Sequence, residues 1–120
     1  MEEILHYQGC LVESIKDAII STDLDLKVIS WNSAACQIYG WQTEDVFGKS
    51  LDDIFEPTYA DTTPVEVRQQ VLEAGAWMGQ VTHQCKDGSN AEVSSAISQV
   101  CDPKGITIGM VVVNRSLVMS

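Results

Sequence analysis

The side chain in this chain that is best placed to do chemistry inside a protein is His83, one of only two histidines among 120 residues. It stands between Val81 and Cys85 in a run where every second side chain should face the same side of a strand. A buried imidazole needs polar partners. Three hydroxyls are expected on the same face: Thr22, Ser30 and Ser95. We therefore predict a polar pocket around His83, and the alternative is a histidine that serves only as a core or surface residue.

Paired acids do not form a convincing catalytic group in this sequence. Glu44-Asp45 and Asp52-Asp53 are adjacent in sequence, so a helix would direct the two side chains of each pair about 100° apart. The serines lack a nucleophile elbow, and the dispersed glycines form neither a GxGxxG motif nor a P-loop. The sequence therefore predicts a domain that is not an enzyme, and solvated or helix-capping roles for these acids.

Charge and cysteine usage limit the partners and the compartment. The chain carries 17 acidic and 7 scattered basic residues, for a net charge of −10, which argues against direct binding to nucleic acid or an anionic membrane surface. The apolar runs are too short for a bilayer span or a signal peptide. None of the four cysteines lies at CxxC spacing, which favours buried thiols over disulfides or zinc. The cysteines are Cys10, Cys36, Cys85 and Cys101. We expect a soluble cytoplasmic domain, although an anchor could lie outside this chain.

The hydrophobic pattern divides the chain into short elements that can build one core. One or two amphipathic helices are predicted within residues 2–16. Strands are predicted at 18–22, 27–31, 77–85, 91–100 and 106–113. Helices are predicted at 33–39, capped by Asn32, at 43–46, capped by Thr43, at 51–55, and at 63–74, capped by Thr63. This order fits an α+β domain, namely a five-stranded antiparallel sheet of order 2-1-5-4-3 with the helices on one face.

Six local motifs in this order resemble the PAS sensory domain family, over residues 11–114. They are Asp23 after the first strand, Asn32 at the first helix, Tyr39-Gly40 at its end, Glu44 to Gly48, Trp77 to Gly79, and Lys86-Asp87-Gly88 in a hairpin. The family's last strand commonly ends Asp-x-Thr, whereas this chain has Asn114-Arg115-Ser116, so the carboxylate that helps to couple the family's output is missing.

The resemblance implies a sensory and dimerisation module of a cytoplasmic signal-transduction protein, such as a sensor histidine kinase, a cyclic-dinucleotide enzyme or a transcription regulator. Residues 1–16 would be a flanking helix, residues 17–114 the sensory domain, and residues 115–120 a linker to an output domain. A small ligand would bind between the sheet and the helices. The rival interpretation is a ligand-free structural interaction module whose core is filled by side chains.

Alternation and the resemblance together predict which side chains surround the ligand. The inward residues are Ile20, Thr22, Val28, Ser30, Val81, His83, Cys85, Val93, Ser95, Ile97, Ile108, Met110 and Val112. The residues expected to bind a ligand are Thr22, Ser30, Tyr39, His83, Cys85, Ser95 and Met110. The helix at 33–39 would close the pocket against the helix at 63–74. Ile19, Ile29 and Trp31 would point outwards, where residues 2–16 or a second subunit could cover them and form a homodimer.

The cofactor expectations also follow from the resemblance. Flavin-binding light sensors of the family carry a reactive cysteine in an Asn-Cys-Arg-Phe motif, and this chain has Gly48-Lys49-Ser50-Leu51 there. A flavin photoadduct is therefore disfavoured, whereas a non-covalent flavin stays compatible with the sequence. Haem is disfavoured because neither His6 nor His83 lies in a central helix. The expectation is no resident cofactor and no metal.

Overall fold

The computed structural model describes residues 16–117, which form an antiparallel sheet with four short helices against one face. The strands are β1 (Ala18–Thr22), β2 (Val28–Trp31), β3 (Thr58–Tyr59), β4 (Ala76–Gln84), β5 (Asn90–Cys101) and β6 (Thr107–Ser116). The helices are α1 (Ser33–Tyr39), α2 (Thr43–Val46), α3 (Leu51–Phe55) and α4 (Pro64–Ala74). The strand order is β2-β1-β6-β5-β4-β3.

The predicted antiparallel fold and strand order are confirmed, with one strand more than expected. The five predicted strands follow the order 2-1-5-4-3 when they are numbered without β3. The sixth strand, β3, consists of two residues that pair with Thr82 and Val81 at the sheet edge. A strand of two residues is too short to produce a recognisable alternation, so its sequence read as irregular.

Short side chains fix the ends of the elements, as the motifs predict. The Oδ1 atom of Asp23 accepts hydrogen bonds from the backbone N–H groups of Asp25 and Lys27 and closes the turn between β1 and β2. Asn32 accepts from the N–H of Ala35 at the start of α1 and from the N–H of Ile19 in β1. The Asn32 side chain thereby joins the first helix to the sheet.

Both longer helix predictions are confirmed, while the cap of α2 is a correction. Thr63 accepts from the N–H of Glu66 at the start of α4, and this helix ends at Gly75, whose φ of 92° suits glycine. The N-cap of α2 is Gln42 instead of Thr43. Thr43 is the first residue of the helix, and its hydroxyl donates to the carbonyl oxygen of Trp31 at 3.3 Å.

The inward and outward assignments in β2 were wrong for two residues. Trp31 is buried in the core and Ser30 is exposed, the reverse of the prediction. The partners of β1 skip from Ser30 to Val28, so Ile29 is an extra residue in a β-bulge. Because the bulge breaks the two-residue alternation, Val28 and Trp31 both point inwards.

A second bulge explains the error at Ile108, which was predicted to point inwards and is 51% exposed. Along β5, Val100 pairs with Gly109 and Cys101 pairs with Thr107, so Ile108 has no partner across the strand pair. Beyond this bulge the alternation holds, and Met110 and Val112 are buried on the inner face. Alternation thus predicts orientation only within uninterrupted pairing.

The core next to α1 is aromatic. The rings of Trp31, Tyr39 and Phe55 lie 4.4 to 5.9 Å apart between centroids, each pair tilted. In β4, the Trp77 ring covers Gly79, where an added Cβ would lie 2.6 Å from the ring. This contact gives the Trp-x-Gly motif a physical reason, because any larger residue at position 79 would displace the indole.

Candidate ligand-binding site

A cavity of about 40 Å³ lies between the inner face of the sheet and helices α3 and α4. Its walls are mostly hydrocarbon, and the polar residues on its sheet side are His83 and Ser95. The lining residues on the helices include Leu51, Phe55, Val67 and Val71, and those on the sheet include His83, Ser95, Ile97, Met110 and Val112. The amphipathic pattern of α4 places Val67 and Val71 one turn apart, so both face the sheet.

His83 is held between the sheet and α3 by packing. It lies in β4, is 4% exposed, and stacks on the Phe55 ring with centroids 4.1 Å apart and an interplanar angle of 13°. Burial lowers the pKa of His83 to about 3, because the charged ring would lose its hydration. The imidazole is therefore neutral at physiological pH.

A buried hydrogen-bond chain runs from the first helix to the last strand through three side chains. The Tyr39 hydroxyl lies 2.8 Å from Nδ1 of His83 and 3.0 Å from Nδ2 of Asn114, which donates to it. Burial raises the pKa of the Tyr39 hydroxyl, so this group keeps its proton. The chain links residues 44 and 75 positions apart in sequence.

Three polar side-chain atoms near this chain have no hydrogen-bond partner among residues 16–117. Oδ1 of Asn114, a residue that is fully buried, accepts no hydrogen bond. The Nε2 atom of His83 and the hydroxyl of Ser95 belong to buried residues that line the cavity and also have no protein partner, but unlike Oδ1 of Asn114 these two atoms are not fully enclosed. Buried polar groups are rarely left unpaired, since each unpaired group costs about 1–3 kcal/mol. Such atoms mark a place where a ligand or water can bind.

Charged and phenolic groups lie at the mouth of the cavity. Asp52, Arg68 and Tyr59 all line it. The pKa of the Asp52 carboxyl is raised, chiefly by partial burial, while the Arg68 guanidinium opposes the shift. Burial and the charge of Asp52 raise the pKa of Tyr59 to about 12. Arg68 also donates to the carbonyl oxygen of Leu24 at 2.8 Å, which ties α4 to the turn after β1.

Three of the seven residues expected to bind a ligand line the cavity, namely His83, Ser95 and Met110. Tyr39 lies behind His83 and positions its ring by a hydrogen bond instead of lining the wall. The expectation that α1 closes the pocket was therefore wrong, because the helical wall of the cavity comes from α3 and α4 and contains no residue of α1.

The other three residues lie elsewhere. Thr22 is buried on the inner face, where its hydroxyl donates to the carbonyl of Asp23 at 2.9 Å. Ser30 is exposed and its hydroxyl contacts that of Ser21. Cys85 follows β4, and its thiol donates to the carbonyl of Ile38 at 3.4 Å, away from the cavity.

Sequence reasoning missed Phe55 and Asn114 as parts of the site. Alternation along β6 from Met110 through Val112 does place Asn114 on the inner face, so the pattern contained this signal. No pattern identified Phe55 as the partner of His83, because the stacking depends on how α3 docks on the sheet. The same holds for the two valines of α4.

Within the described part of the chain, no group of three or more His, Cys, Asp or Glu side chains could hold a metal ion. Cys36 and Cys85 are partly buried free thiols, while Cys101 is exposed, contrary to the expectation that all would be buried. Cys101 ends β5 at the second bulge, where the strand leaves the core. No helix within residues 16–117 is long and apolar enough to cross a bilayer.

Comparisons with known proteins agree with this architecture. A family model described as the PAS fold matches residues 10–116. A probable diguanylate cyclase of Escherichia coli strain K12, DgcE, is 24% identical over 111 residues. That match covers 91% of this chain and 10% of the relative, so the chain spans about a tenth of that protein's length.

Solved structures share the fold. The PAS domain of a protein from Colwellia psychrerythraea superposes with a TM-score of 0.81 at 24% identity, covering 95% of this chain and 97% of that chain. The PAS domain of nitrogen regulation protein NR(II) from Vibrio parahaemolyticus has a TM-score of 0.76 at 16% identity and covers 92% and 97%. A PAS domain from a two-component sensor histidine kinase also has a TM-score of 0.76 at 16% identity, covering 96% and 97%.

Proposed function

The chain belongs to the PAS family, and we propose that it is the sensory and dimerisation module of a larger cytoplasmic signal-transduction protein. A PAS domain is a sensory module without catalytic activity, so this domain is not itself an enzyme. An output domain outside this chain would carry the activity, as a histidine kinase or a cyclic-dinucleotide enzyme. The names of the similar proteins support these two output types. The net charge of −10 supports a partner other than nucleic acid or an anionic membrane.

The sensing element of this proposal is a small ligand in the cavity beside His83. The observation that carries it is that two buried residues line the cavity with polar atoms, Nε2 of His83 and the hydroxyl of Ser95, that have no partner among the described residues. A ligand that hydrogen-bonds to them would remove a cost of about 1–3 kcal/mol per group. Unpaired buried groups of this kind therefore favour occupancy.

The signal would leave the cavity through Asn114. This residue pairs with Ala18 of β1 and Ser95 of β5, and its amide donates to the same Tyr39 hydroxyl that contacts His83. A ligand on Nε2 would change the strength of that chain and bias the packing at the end of β6, which leads to residues 115–120. A ligand can shift such an equilibrium only by its differential affinity for the two arrangements.

Native mass spectrometry of the purified chain, together with its absorption spectrum, tests the sensory proposal. For a sensor we expect a bound ligand, detected as mass above that of the polypeptide or as colour. Loss of that extra mass in His83→Leu would link the ligand to the cavity. We expect His83→Leu to keep the fold, because leucine has similar bulk, and to lose small polar ligands. Ser21→Ala removes a half-buried hydroxyl on the other face and is the matched control. Normal ligand retention by His83→Leu would contradict the proposal.

The small cavity volume favours a second candidate, a ligand-free structural interaction module. A cavity of about 40 Å³ holds a few water molecules, since one water needs roughly 10–15 Å³ by this measure. A module of this kind would show the mass of the polypeptide alone and no ligand-dependent change in hydrogen exchange at β6. These two measurements distinguish the two candidates.

The same volume bears on the cofactor. A cavity of roughly 150 Å³ accommodates a single benzene ring, so a flavin, with three fused rings, would need a much larger space than about 40 Å³. Haem is larger still than a flavin ring system, so the same volume of about 40 Å³ disfavours it. The proposed module therefore works without a flavin or a haem.

Homodimerisation is the second part of the proposal, through the outer face of the sheet. An apolar row crosses four strands there, made of the cross-strand neighbours Ile19, Val113, Ala96 and Met78. Met78 is 76% exposed and Ile29 of β2 is 52% exposed. Exposed apolar rows of this kind favour a partner surface. Residues 2–15, which were expected to help cover this face, lie outside the described part of the chain, and Trp31, also expected there, belongs to the core.

Met78→Lys tests the dimer. We expect the charge to weaken self-association by at least tenfold, because it would have to be desolvated in the interface. The matched control is Val65→Lys, since Val65 is 73% exposed on α4, at the opposite side of the sheet. Sedimentation equilibrium measures both. Truncation before Ile15 should also make the chain monomeric or aggregating, and an unchanged dimer in both experiments would exclude this interface.

A further inference from the structure

The direction of the hydrogen bonds in the buried chain fixes where the proton of His83 lies. The Nδ2 atom of Asn114 can only donate, and it lies 3.0 Å from the Tyr39 oxygen, which therefore accepts. Among the described residues, the one other partner of the Tyr39 oxygen is Nδ1 of His83 at 2.8 Å, so Nδ1 is the available acceptor for the hydroxyl proton. Since Nδ1 accepts, a neutral ring carries its proton on Nε2, the nitrogen without a partner among the described residues.

The surroundings of that N–H group are uncharged. His83 and Tyr39 are both neutral at physiological pH, for the reason of burial given above. The two charged lining residues, Asp52 and Arg68, are exposed at the mouth. The remaining inner wall is hydrocarbon apart from the hydroxyl of Ser95. A charged group beside Nε2 of His83 would lose its hydration, and the two charged residues that line the cavity, Asp52 and Arg68, have opposite charges and are themselves exposed to solvent.

The volume limits the size of an occupant. About 40 Å³ lies between the roughly 10–15 Å³ that one water needs and the roughly 150 Å³ that holds benzene. An occupant of about two or three non-hydrogen atoms is therefore the largest that fits without movement of the walls.

From polarity, charge and size together, we infer that the cavity selects uncharged molecules of two or three non-hydrogen atoms that accept a hydrogen bond from Nε2–H of His83. The hydroxyl of Ser95 supplies a second, weaker constraint, since it can donate or accept. This inference rests on the proposed ligand-binding function and adds the chemical class of the ligand.

Two pairs of probes test the inference on the whole chain by NMR titration. Acetonitrile and propyne are linear molecules of three non-hydrogen atoms, and only acetonitrile is a good acceptor. Formamide and formate share a bent shape and differ in charge. We expect acetonitrile and formamide to bind with dissociation constants on the order of millimolar, near the limit for such small molecules. Propyne and formate should bind at least about tenfold more weakly. Propyne leaves Nε2–H of His83 unpaired, and formate carries a charge that loses its hydration.

Each outcome separates the ligand class from the function itself. Equal binding of acetonitrile and propyne, or tighter binding of formate than of formamide, would overturn the ligand class and leave a ligand-binding cavity in place. Failure of all four probes to shift the resonances of cavity residues would overturn the ligand class and count against the ligand-binding function too. The supporting result is binding of acetonitrile and formamide, with propyne and formate at least about tenfold weaker.

The tautomer of His83 provides an independent measurement. The ¹⁵N chemical shifts of the ring should identify a proton on Nε2, and acetonitrile should shift that resonance. A proton on Nδ1 would make Tyr39 the acceptor in its bond to His83, make Nε2 an acceptor, and overturn the inference. His83→Phe keeps the ring stacked on Phe55 without the N–H group, so it should lose the preference for acetonitrile over propyne while remaining folded.

Discussion

The two faces of the same sheet contrast in a way that simple hydrophobic patterning does not predict. The inner face, which the helices cover, contains the buried polar side chains of His83, Ser95 and Asn114. The outer face carries an apolar row in which Met78 is 76% exposed. Polar groups are expensive to bury and apolar groups gain nothing from exposure. Both departures support the two proposals made above, a ligand on the inner face and a second surface on the outer face.

The inner face also holds the stability of the domain, and this contrast gives the largest expected effect. Tyr39→Ala removes a fully buried ring that packs against Trp31 and Phe55. We expect the free energy of unfolding to fall by about 3–5 kcal/mol, as for other large buried rings. Met78→Ala on the outer face should change it by less than about 0.5 kcal/mol. Urea unfolding at low protein concentration measures both, and similar losses would remove the contrast.

The pH dependence of stability gives the second largest effect. His83 has a pKa of about 3 in the folded protein and about 6.5 when unfolded. Below pH 6.5 the unfolded state binds the extra proton, so stability falls with decreasing pH, by about 1.4 kcal/mol per unit until the pH reaches the folded pKa. Above pH 6.5 this residue contributes no pH dependence.

Comparison with His83→Phe isolates that effect. The other titratable or charged groups around the cavity are Tyr39, Asp52, Tyr59 and Arg68, and all are present in both proteins. We expect the difference in unfolding free energy between the two proteins to change by about 2–3 kcal/mol from pH 7 to pH 4.5. Parallel stability curves over this range would mean that the His83 ring is not kept neutral by burial.

The hydroxyl of Tyr39 should have a smaller effect than its ring. Tyr39→Phe keeps the packing but removes the partner of Nδ1 of His83 and of Nδ2 of Asn114. We expect a loss of about 1–3 kcal/mol in unfolding free energy. Tyr59→Phe is the matched control, since the Tyr59 hydroxyl has no hydrogen bond to any described residue, and it should cost less than about 0.5 kcal/mol. Equal effects would show that the buried chain adds no stability.

Much of the fold was predictable because its signals are local. Asn32 and Thr63 cap helices through hydrogen bonds to residues three positions away. Gly40 and Gly75 end helices with φ values of 82° and 92°. Alternation along β4 and β5 correctly placed Val81, His83 and Ser95 inside, because the pairing of these strands is continuous.

The candidate site was less predictable, since its contacts join distant segments. The sequence indicated that His83 would be buried, but not that Phe55 would stack on one side of it. Nor could it predict that the Tyr39 hydroxyl would bond to Nδ1 of His83 while accepting from Asn114. Each contact depends on how a helix docks on the sheet, and many docking positions satisfy the same hydrophobic pattern.

The sequence by itself determined the element order, the helix ends and the face on which most strand residues lie, because these depend on neighbours a few positions apart. Only the tertiary structure decided the side of Trp31, Ser30 and Ile108, since a β-bulge arises from the register between two strands. It also decided which polar atoms beside the cavity lack a partner. Hydrogen bonding in a core is a property of the whole packing arrangement, and no single segment of sequence contains it.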